Sequence, residues 1–362
     1  MDLEKLRKGI DRIDSKIVKS LNQRARLSQK IGRLKAKASK SVYSPDRERI
    51  VYEKVSSQNG GPLSNETLQA IYREIMSGSL ALEKPLKIAY MGPPASFSNI
   101  AALKKFGSSV RYLPVNTITE VFAEVEHGRA DYGVVPIENS IEGAINYTLD
   151  MFMESDLKIC SEISLEISHN LLAKCRMDQI KRIYSNPNVI GQCRMWLEAN
   201  LPRVELIEVT STTKAAEMAV KERGAAAIGS GLAAECYGLN ILARSIEDSP
   251  HNMTRFLVIG KTENKPTGKD KTSIMFSVKD RVGALHDMLV PFKKNRINLT
   301  KIESRPSKKK VWEYRFFVDM IGHHEDVRIK KAIKELEGIC TNLKILGSYP
   351  QDRPYPSTKG RA

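Results

Sequence analysis

From Leu3 to Leu34 apolar residues recur every seven positions: Leu3, Ile10, Ile17 and Ile31 hold one heptad position, and Leu6, Ile13, Leu27 and Leu34 hold the other. A stripe of that length suits one long amphipathic helix and little else. The repeat requires apolar side chains at 20 and 24 as well, but Ser20 and Arg24 stand there, so a guanidinium sits in the middle of the stripe and needs an anion opposite it. Lys35 returns to nearly the azimuth of Arg24, with roughly 16 Å of rise between them, so the two side chains leaning together could grip a small dianion. Arg7 lies roughly 25 Å from Arg24 along the axis and about 100° round it. It cannot reach the same pocket within one straight helix, but it could reach a partner's. Taken singly, these residues also fit an ordinary coiled-coil helix with a polar interruption that fixes its register.

The 362 residues suffice for two or three domains with cores of their own, and a hydrophobic content of 41% supports globular folding. No apolar run approaches the roughly 20 residues of a membrane span. The N-terminus reads as a charged amphipathic helix and not as a signal peptide. Cys160, Cys175, Cys193, Cys236 and Cys340 are widely spaced, the histidines show no ligand spacing, and His323-His324 reads as a solvated loop or strand end. Reduced cytoplasmic thiols and no metal are the expectation. Of the net charge of +16, half falls in residues 1–84, some of it on the apolar seam, whereas a nucleic-acid surface would carry it on the outer face.

After the long helix a short loop leads to Pro45, whose place predicts a second helix to about Val55. A third begins near Ser64 or Asn65, with Leu68, Ile71, Ile75 and Leu82 on its apolar face and Ser79 and Glu83 along one edge. Three helices so unequal in length do not close a core alone, which points to pairing of two chains. This all-α segment, residues 1–84, resembles the helical class of chorismate mutase, an interlocked dimer of three-helix subunits. The resemblance implies that Arg24 and Arg47, with Arg7 of the other subunit, bind the carboxylates of chorismate, and that Glu48 binds its ring hydroxyl. It likewise implies that Lys35 and Glu83 face the ether oxygen as the catalytic pair and that Ser79 lines the pocket. Ser44 departs from the acidic residue of relatives. Rearrangement of chorismate to prephenate is an intramolecular Claisen reaction that needs no nucleophile, proton transfer or cofactor. Holding the compact conformer between cations and stabilising charge on the ether oxygen suffices. A carboxylate there would repel that charge, so Glu83 is expected to act in its protonated form.

Lys84-Pro85 ends the helices, and strands then alternate with helices: Leu86 to Met91, Val110 to Val115 and Tyr132 to Ile137 read as buried strands. The last of these runs into Glu138-Asn139-Ser140-Ile141-Glu142-Gly143-Ala144, a polar turn where α/β folds place ligand contacts. Such alternation predicts two α/β lobes with a cleft between them, a periplasmic-binding-protein-like arrangement. Singly, Ser211 reads as a helix N-cap and Glu138-Asn139 as a turn. In this order, over residues 85–262, these motifs with Tyr184-Ser185-Asn186-Pro187, Gln192-Cys193 and Thr254-Arg255-Phe256 resemble prephenate dehydratase. The family implies decarboxylation with loss of the ring hydroxyl, giving phenylpyruvate. By this resemblance Thr254 protonates the departing hydroxyl, and Asn139, Ser185, Gln192, Arg255 and Phe256 hold the substrate.

Thr262 to Lys271 reads as a linker, and the domain over 271–350 follows the order strand, helix, two strands, helix, strand, which is ferredoxin-like α+β. Gly283-Ala284-Leu285-His286 and Glu303-Ser304-Arg305-Pro306 resemble the amino-acid-binding motifs of ACT regulatory domains. Gly283 would let a ligand carboxylate approach a helix start. His286 replaces an apolar residue of relatives, and the residues after Pro350 read as a frayed tail. Together the segments imply a multidomain, bifunctional cytoplasmic enzyme of phenylalanine biosynthesis, a homodimer or dimer of dimers, with chorismate and prephenate as substrates and L-phenylalanine as feedback inhibitor. No cofactor, nucleic acid or membrane partner is expected. A non-catalytic sensor is the other class that such modules allow; the seam cations and Thr254-Arg255-Phe256 argue against it.

Overall fold

One helix, α1 (Leu3–Lys37), takes up the whole heptad stretch, with Asp2 capping its start by accepting the Glu4 amide at 3.2 Å. The computed structural model describes residues 2–38, 42–279, 281–306 and 314–352, which separate into two units. The first comprises Met1–Ile88 with Leu103–Tyr112, and the second Ala89–Ala102 with Leu113–Ala362. No helix among the described residues is long and apolar enough to cross a membrane.

In the first unit, α2 (Pro45–Ser57) starts on its proline, and α3 (Asn65–Glu83) is capped by Ser64, which accepts the Thr67 amide. Both α1 and α2 pack on α3. Gly32 is the one buried residue of α1: a Cβ there would lie 2.9 Å from Glu83 Cγ, so only glycine lets the two helices approach so closely. The heptad seam, expected to be buried, is exposed in the single chain, with Ile10 and Ile13 each at 57%. The segment from 103 is fastened to α3 by Ser108, whose amide and hydroxyl both donate to Glu74 Oε2, and by Ser109, whose amide donates to Ser77 Oγ.

The next elements alternate as expected: β1 (Lys87–Met91), α4 (Phe97–Phe106), β2 (Arg111–Val115), α5 (Ile118–Glu126), β3 (Tyr132–Asn139), β4 (Gly143–Ala144), α6 (Asn146–Glu154) and β5 (Lys158–Glu166). The chain then crosses to a second sheet built of β6 (Asn170–Ala173), β7 (Arg182–Ser185), α7 (Pro187–Gln192), α8 (Arg194–Asn200), β8 (Glu205–Glu208), α9 (Thr212–Lys221), β9 (Ala225–Gly229), α10 (Gly231–Tyr237) and β10 (Asn240–Ala243). It returns through β11 (Met253–Gly260). The first sheet has the order β2-β1-β3-β11-β5 with β4 on β3, and the second β10-β6-β9-β7-β8. Alanines of β9 and α9 let the second sheet and its helix pack closely, while Phe122, Phe152 and Val135 fill the first core. Ser211 caps α9, as its position suggests.

β11 lies antiparallel between β3 and β5, with Thr254 opposite Asn139. Where the chain crosses between the lobes, the two passages are bonded to each other: Ile167 donates its amide to the Asn252 carbonyl at 2.8 Å, and Ile246 to the His169 carbonyl at 2.8 Å.

The C-terminal domain contains β12 (Asp270–Val278), α11 (Ala284–Lys294), β13 (Leu299–Pro306), β14 (Tyr314–Ile321), α12 (Val327–Glu337) and β15 (Cys340–Pro350), with sheet order β13-β14-β12-β15. This is the ferredoxin-like arrangement, its helices packed on one core with Phe276, Met288 and Leu336. Its sheet also adjoins β5. Gly347 sits so near that a Cβ would meet the Ile159 carbonyl at 2.3 Å, and Lys158 Nζ donates to the Ile345 carbonyl at 2.9 Å. The stretch read as a linker is held: Asn264 donates to the carbonyls of Cys160 and Ser348. His323, read as solvated, is buried, with Nε2 against the Asn264 carbonyl, because the linker folds over it. The expected tail begins later than Pro350, since the Asp352 amide donates to Glu162 and its carboxylate accepts from the Ser164 amide. Residues 353–362, and positions 311–313 of an expected strand, lie outside the described residues.

Candidate active sites

The first unit brings four of the expected side chains together. Arg24, midway along α1, donates from Nη1 to Ser79 Oγ at 2.6 Å, and Ser79 in turn donates to the Ile75 carbonyl. Lys35 Nζ lies 3.9 Å from Glu83 Oε2 and donates to the Val42 carbonyl at 2.6 Å, which draws the loop before α2 over the site. The Glu83 side chain is 9% exposed, and its Oε2 is buried without a hydrogen-bond partner. Burial raises its carboxyl above the ordinary range, opposed by the charges of Lys35 and Arg24. Glu48 lies on the first turn of α2, its Oε2 accepting from the Tyr43 hydroxyl at 3.0 Å. Arg47 and Arg7 are exposed, and Arg7 sits near the far end of α1. Ser44 caps no amide and instead bonds Asp46. The arrangement provides cations for a dianion and a buried, unsatisfied carboxyl oxygen. It contains no nucleophile with an adjacent base.

The second site forms where the two crossings between the lobes meet. Asn139 Nδ2 donates to Thr254 Oγ1 at 2.8 Å and to Asn252 Oδ1 at 2.8 Å, while its Oδ1 accepts the amides of Ile141 and Glu142. Gln192 joins the same network: Oε1 accepts from Asn252 Nδ2, and Nε2 donates to Glu142 Oε1, each at 3.0 Å. Because Thr254 Oγ1 accepts the bond from Asn139, its own proton remains available to donate. Glu142 lies in the polar turn expected to make ligand contacts, whereas His169 and Asn252 are not among the expected site residues. His169 Nε2 lies 3.0 Å from Gln192 Oε1, which places the ring proton on Nε2, and Phe97 packs edge-on at 5.5 Å. Burial pushes its pKa down, partly offset by Gln192 and Glu247, so the ring is neutral. The polar Ser168-His169-Asn170 run directly after an apolar strand was the available signal.

Three expected residues of this site lie elsewhere. Ser185 is fully buried and gives its hydroxyl to the Ile228 carbonyl. Phe256 is a buried core side chain. Arg255 is turned to the opposite face of β11 from Thr254, as alternation along a strand dictates. It donates to Glu162 at 2.8 Å, Asp319 at 2.6 Å and the Tyr349 hydroxyl at 2.9 Å. In this structure it joins the central lobe to the C-terminal domain.

In the C-terminal domain Gly283 adopts φ +81 at the start of α11, and a Cβ there would meet nothing within 4 Å, so the helix start is open. Ala284 is buried, Leu285 exposed, and His286 rests against Asp287. Glu303, Ser304, Arg305 and Pro306 end the edge strand β13. Asp150 of α6 holds Arg305 through its Nε and Nη2, at 3.2 and 3.0 Å.

Comparison with known proteins accounts for all three segments. The chain matches the family models for chorismate mutase type II over residues 6–84, prephenate dehydratase over 88–264 and the ACT domain over 272–338. It is 54% identical over 355 residues to the bifunctional chorismate mutase/prephenate dehydratase of Aquifex aeolicus, covering 97% of this chain and 98% of that one. It is 48% identical over 356 residues to the enzyme of the same description from Stutzerimonas stutzeri, covering 96% and 98%. Among solved structures, the prephenate dehydratase of Arthrobacter aurescens in complex with L-Phe superposes with a TM-score of 0.69 at 31% identity, over 74% of this chain and 90% of that one. With both catalytic segments and the regulatory domain matched in order along nearly the whole chain, this protein belongs to the bifunctional chorismate mutase/prephenate dehydratase family.

Proposed function

We propose that the two family activities reside in the two clusters just described, and that L-phenylalanine is the feedback effector of the C-terminal domain. The observation that carries the mutase assignment is the convergence of Arg24, Lys35, Ser79 and the unsatisfied Glu83 oxygen in one pocket. Chorismate would be held by Arg24, Arg47 and the partner subunit's Arg7, with its ether oxygen between Lys35 and a protonated Glu83 and its ring hydroxyl on Glu48. Catalysis then consists of holding the compact conformer and meeting the developing charge with donors already in place. In the second cluster, the bond from prephenate's ring to its carboxylate breaks and that electron pair enters the ring. The ring hydroxyl departs with the proton of Thr254, giving phenylpyruvate, carbon dioxide and water; solvent restores the proton to Thr254. Asn139, held by Asn252 and two backbone amides, fixes the threonine.

A homodimer or a dimer of dimers is the assembly this reading requires. It is supported by the exposed seam of α1, where Leu3, Leu6, Ile17 and Leu34 present apolar side chains, and by the distance of Arg7 from its own pocket. Cytoplasmic location accords with the five free cysteines. For the effector, the open helix start at Gly283 is the support, together with the bound L-Phe of the Arthrobacter relative.

The test is product analysis with chorismate alone, with and without L-phenylalanine. Phenylpyruvate that L-phenylalanine suppresses is expected, whereas prephenate as the end product would refute the second cluster. A second measurement addresses Glu83. Since burial raises its pKa against the pull of Lys35 and Arg24, the active protonated form is lost as pH rises through that value. Mutase kcat should therefore fall with rising pH, and Glu83→Gln should flatten the profile; a variant with the parent's pH profile would rule the neutral acid out.

A further inference from the structure

Glu48 is, with Glu83, one of two acidic residues of a site built for a dianion, and an ionised carboxylate beside two substrate carboxylates is unfavourable unless something neutralises it. In the structure Lys105 does so. Its Nζ lies 2.9 Å from Glu48 Oε2, with the lysine and glutamate side chains only 20% and 11% exposed. Lys105 belongs to α4, inside the segment that matches prephenate dehydratase, yet it falls within the first unit. Its position is not that of a loose surface side chain. The neighbouring Phe106 packs its ring on Tyr43 at 5.0 Å, and Tyr43 is the other donor to Glu48 Oε2. Gly107 has φ +69 and lies against Ser77, where a Cβ would come within 2.6 Å of the serine's own, and Ser108 and Ser109 are bonded to Glu74 and Ser77. Five consecutive residues, 105–109, are thus fitted to the mutase helices, and the first of them delivers an ammonium to Glu48.

We propose that Lys105 is a positioning residue of the mutase site: with Tyr43 it fixes and neutralises Oε2 of Glu48, leaving Oε1 to accept the ring hydroxyl of chorismate. Among the described residues no other group bonds Glu48, so Oε1 is available for that role. The inference rests on Glu48 being the hydroxyl ligand. It makes the mutase site dependent on a residue outside the segment that matches the mutase family.

The test uses the full chain and follows chorismate consumption, with turnover of added prephenate in the same preparation reporting that the chain is folded. Lys105→Met is expected to raise the KM for chorismate about tenfold with kcat changed less than about twofold, the loss of one charge-assisted bond to the ground state and transition state alike. Lys105→Arg should restore most of the affinity. In a Glu48→Gln background, where there is no carboxylate to neutralise, the lysine change should add nothing. A parent-like KM in Lys105→Met while Glu48→Gln is impaired overturns the inference and leaves the Glu48 reading standing. An undiminished effect in Glu48→Gln overturns it in favour of a purely structural contact. Parent-like kinetics in Glu48→Gln itself would remove the Glu48 reading and the inference with it.

Discussion

Replacing Thr254 by alanine is expected to lower phenylpyruvate formation from prephenate by about 10²–10⁴-fold, the range for loss of a general acid, while chorismate is still consumed and prephenate accumulates. The expectation rests on bonding direction. Asn139 Nδ2 donates to Thr254 Oγ1, and Asn139 is itself oriented by the Ile141 and Glu142 amides and by Asn252. The threonine hydroxyl keeps its own proton available, and accepting a bond from Asn139 strengthens it as a donor. His169 does not take over, because its Nε2 proton is committed to Gln192 and burial keeps the ring neutral. Thr254→Val, which keeps the shape, should lose as much as alanine, and Thr254→Ser should retain part of the activity. Chromatographic separation of prephenate and phenylpyruvate reads the result directly. Phenylpyruvate within a few-fold of the parent rate would exclude Thr254 as the proton donor.

How far the sequence could be read depended on whether the deciding contact was local. The heptad over Leu3–Leu34 gave α1, and the misfit of Arg24 within it pointed to a site, because both follow from helix periodicity alone. Pairing of Asn139 with Thr254 follows from two motifs meeting on adjacent strands. A motif says less where neighbours in sequence part company in space. Thr254 and Arg255 are adjacent in one motif, but β11 turns them to opposite faces, and only the placement of β12 and β15 shows what Arg255 meets. Arg305 is a like case, its partner Asp150 lying 155 positions away. His169 and Asn252 occupy the two crossings between lobes, whose approach no local pattern encodes. No local pattern marks Lys105, because the partner that gives it meaning comes from α2. Gly32 could be recognised as a helical glycine, but its use, admitting Glu83, is a tertiary fact.

The other large effect should come from Arg255. Its guanidinium, 16% exposed, bonds Glu162, Asp319 and Tyr349 and lies 3.8 Å from Glu138, so strands of the catalytic lobe and of the C-terminal sheet share one cation. Lys271 pairs with Glu162 at 2.8 Å, and Lys301 with Glu138 at 3.0 Å, but among the described residues Asp319 has no other arginine or lysine within ion-pair distance. Removing Arg255 therefore strands a buried carboxylate, and Arg255→Met should cost about 3–5 kcal/mol of stability, the scale for breaking a buried pair. The pH dependence identifies the cause. Burial acts to raise the Asp319 carboxyl, yet Arg255, Ser273 and Lys271 together hold it below the ordinary aspartate value of about 3.9. In the parent this group contributes stability above that value and loses it as pH falls through the lowered one. Without the arginine, burial dominates and the folded-state value rises, so the variant's deficit should be larger at pH 8 than at pH 5. Because Arg255 adjoins Thr254 on β11, the same change should weaken suppression of the dehydratase by L-phenylalanine, for the effector domain then has one less hold on the catalytic strand. Chemical denaturation at the two pH values, paired with inhibition curves, checks both. A deficit independent of pH would mean that Asp319 does not depend on Arg255, and unchanged inhibition would show that the signal reaches Thr254 by another route.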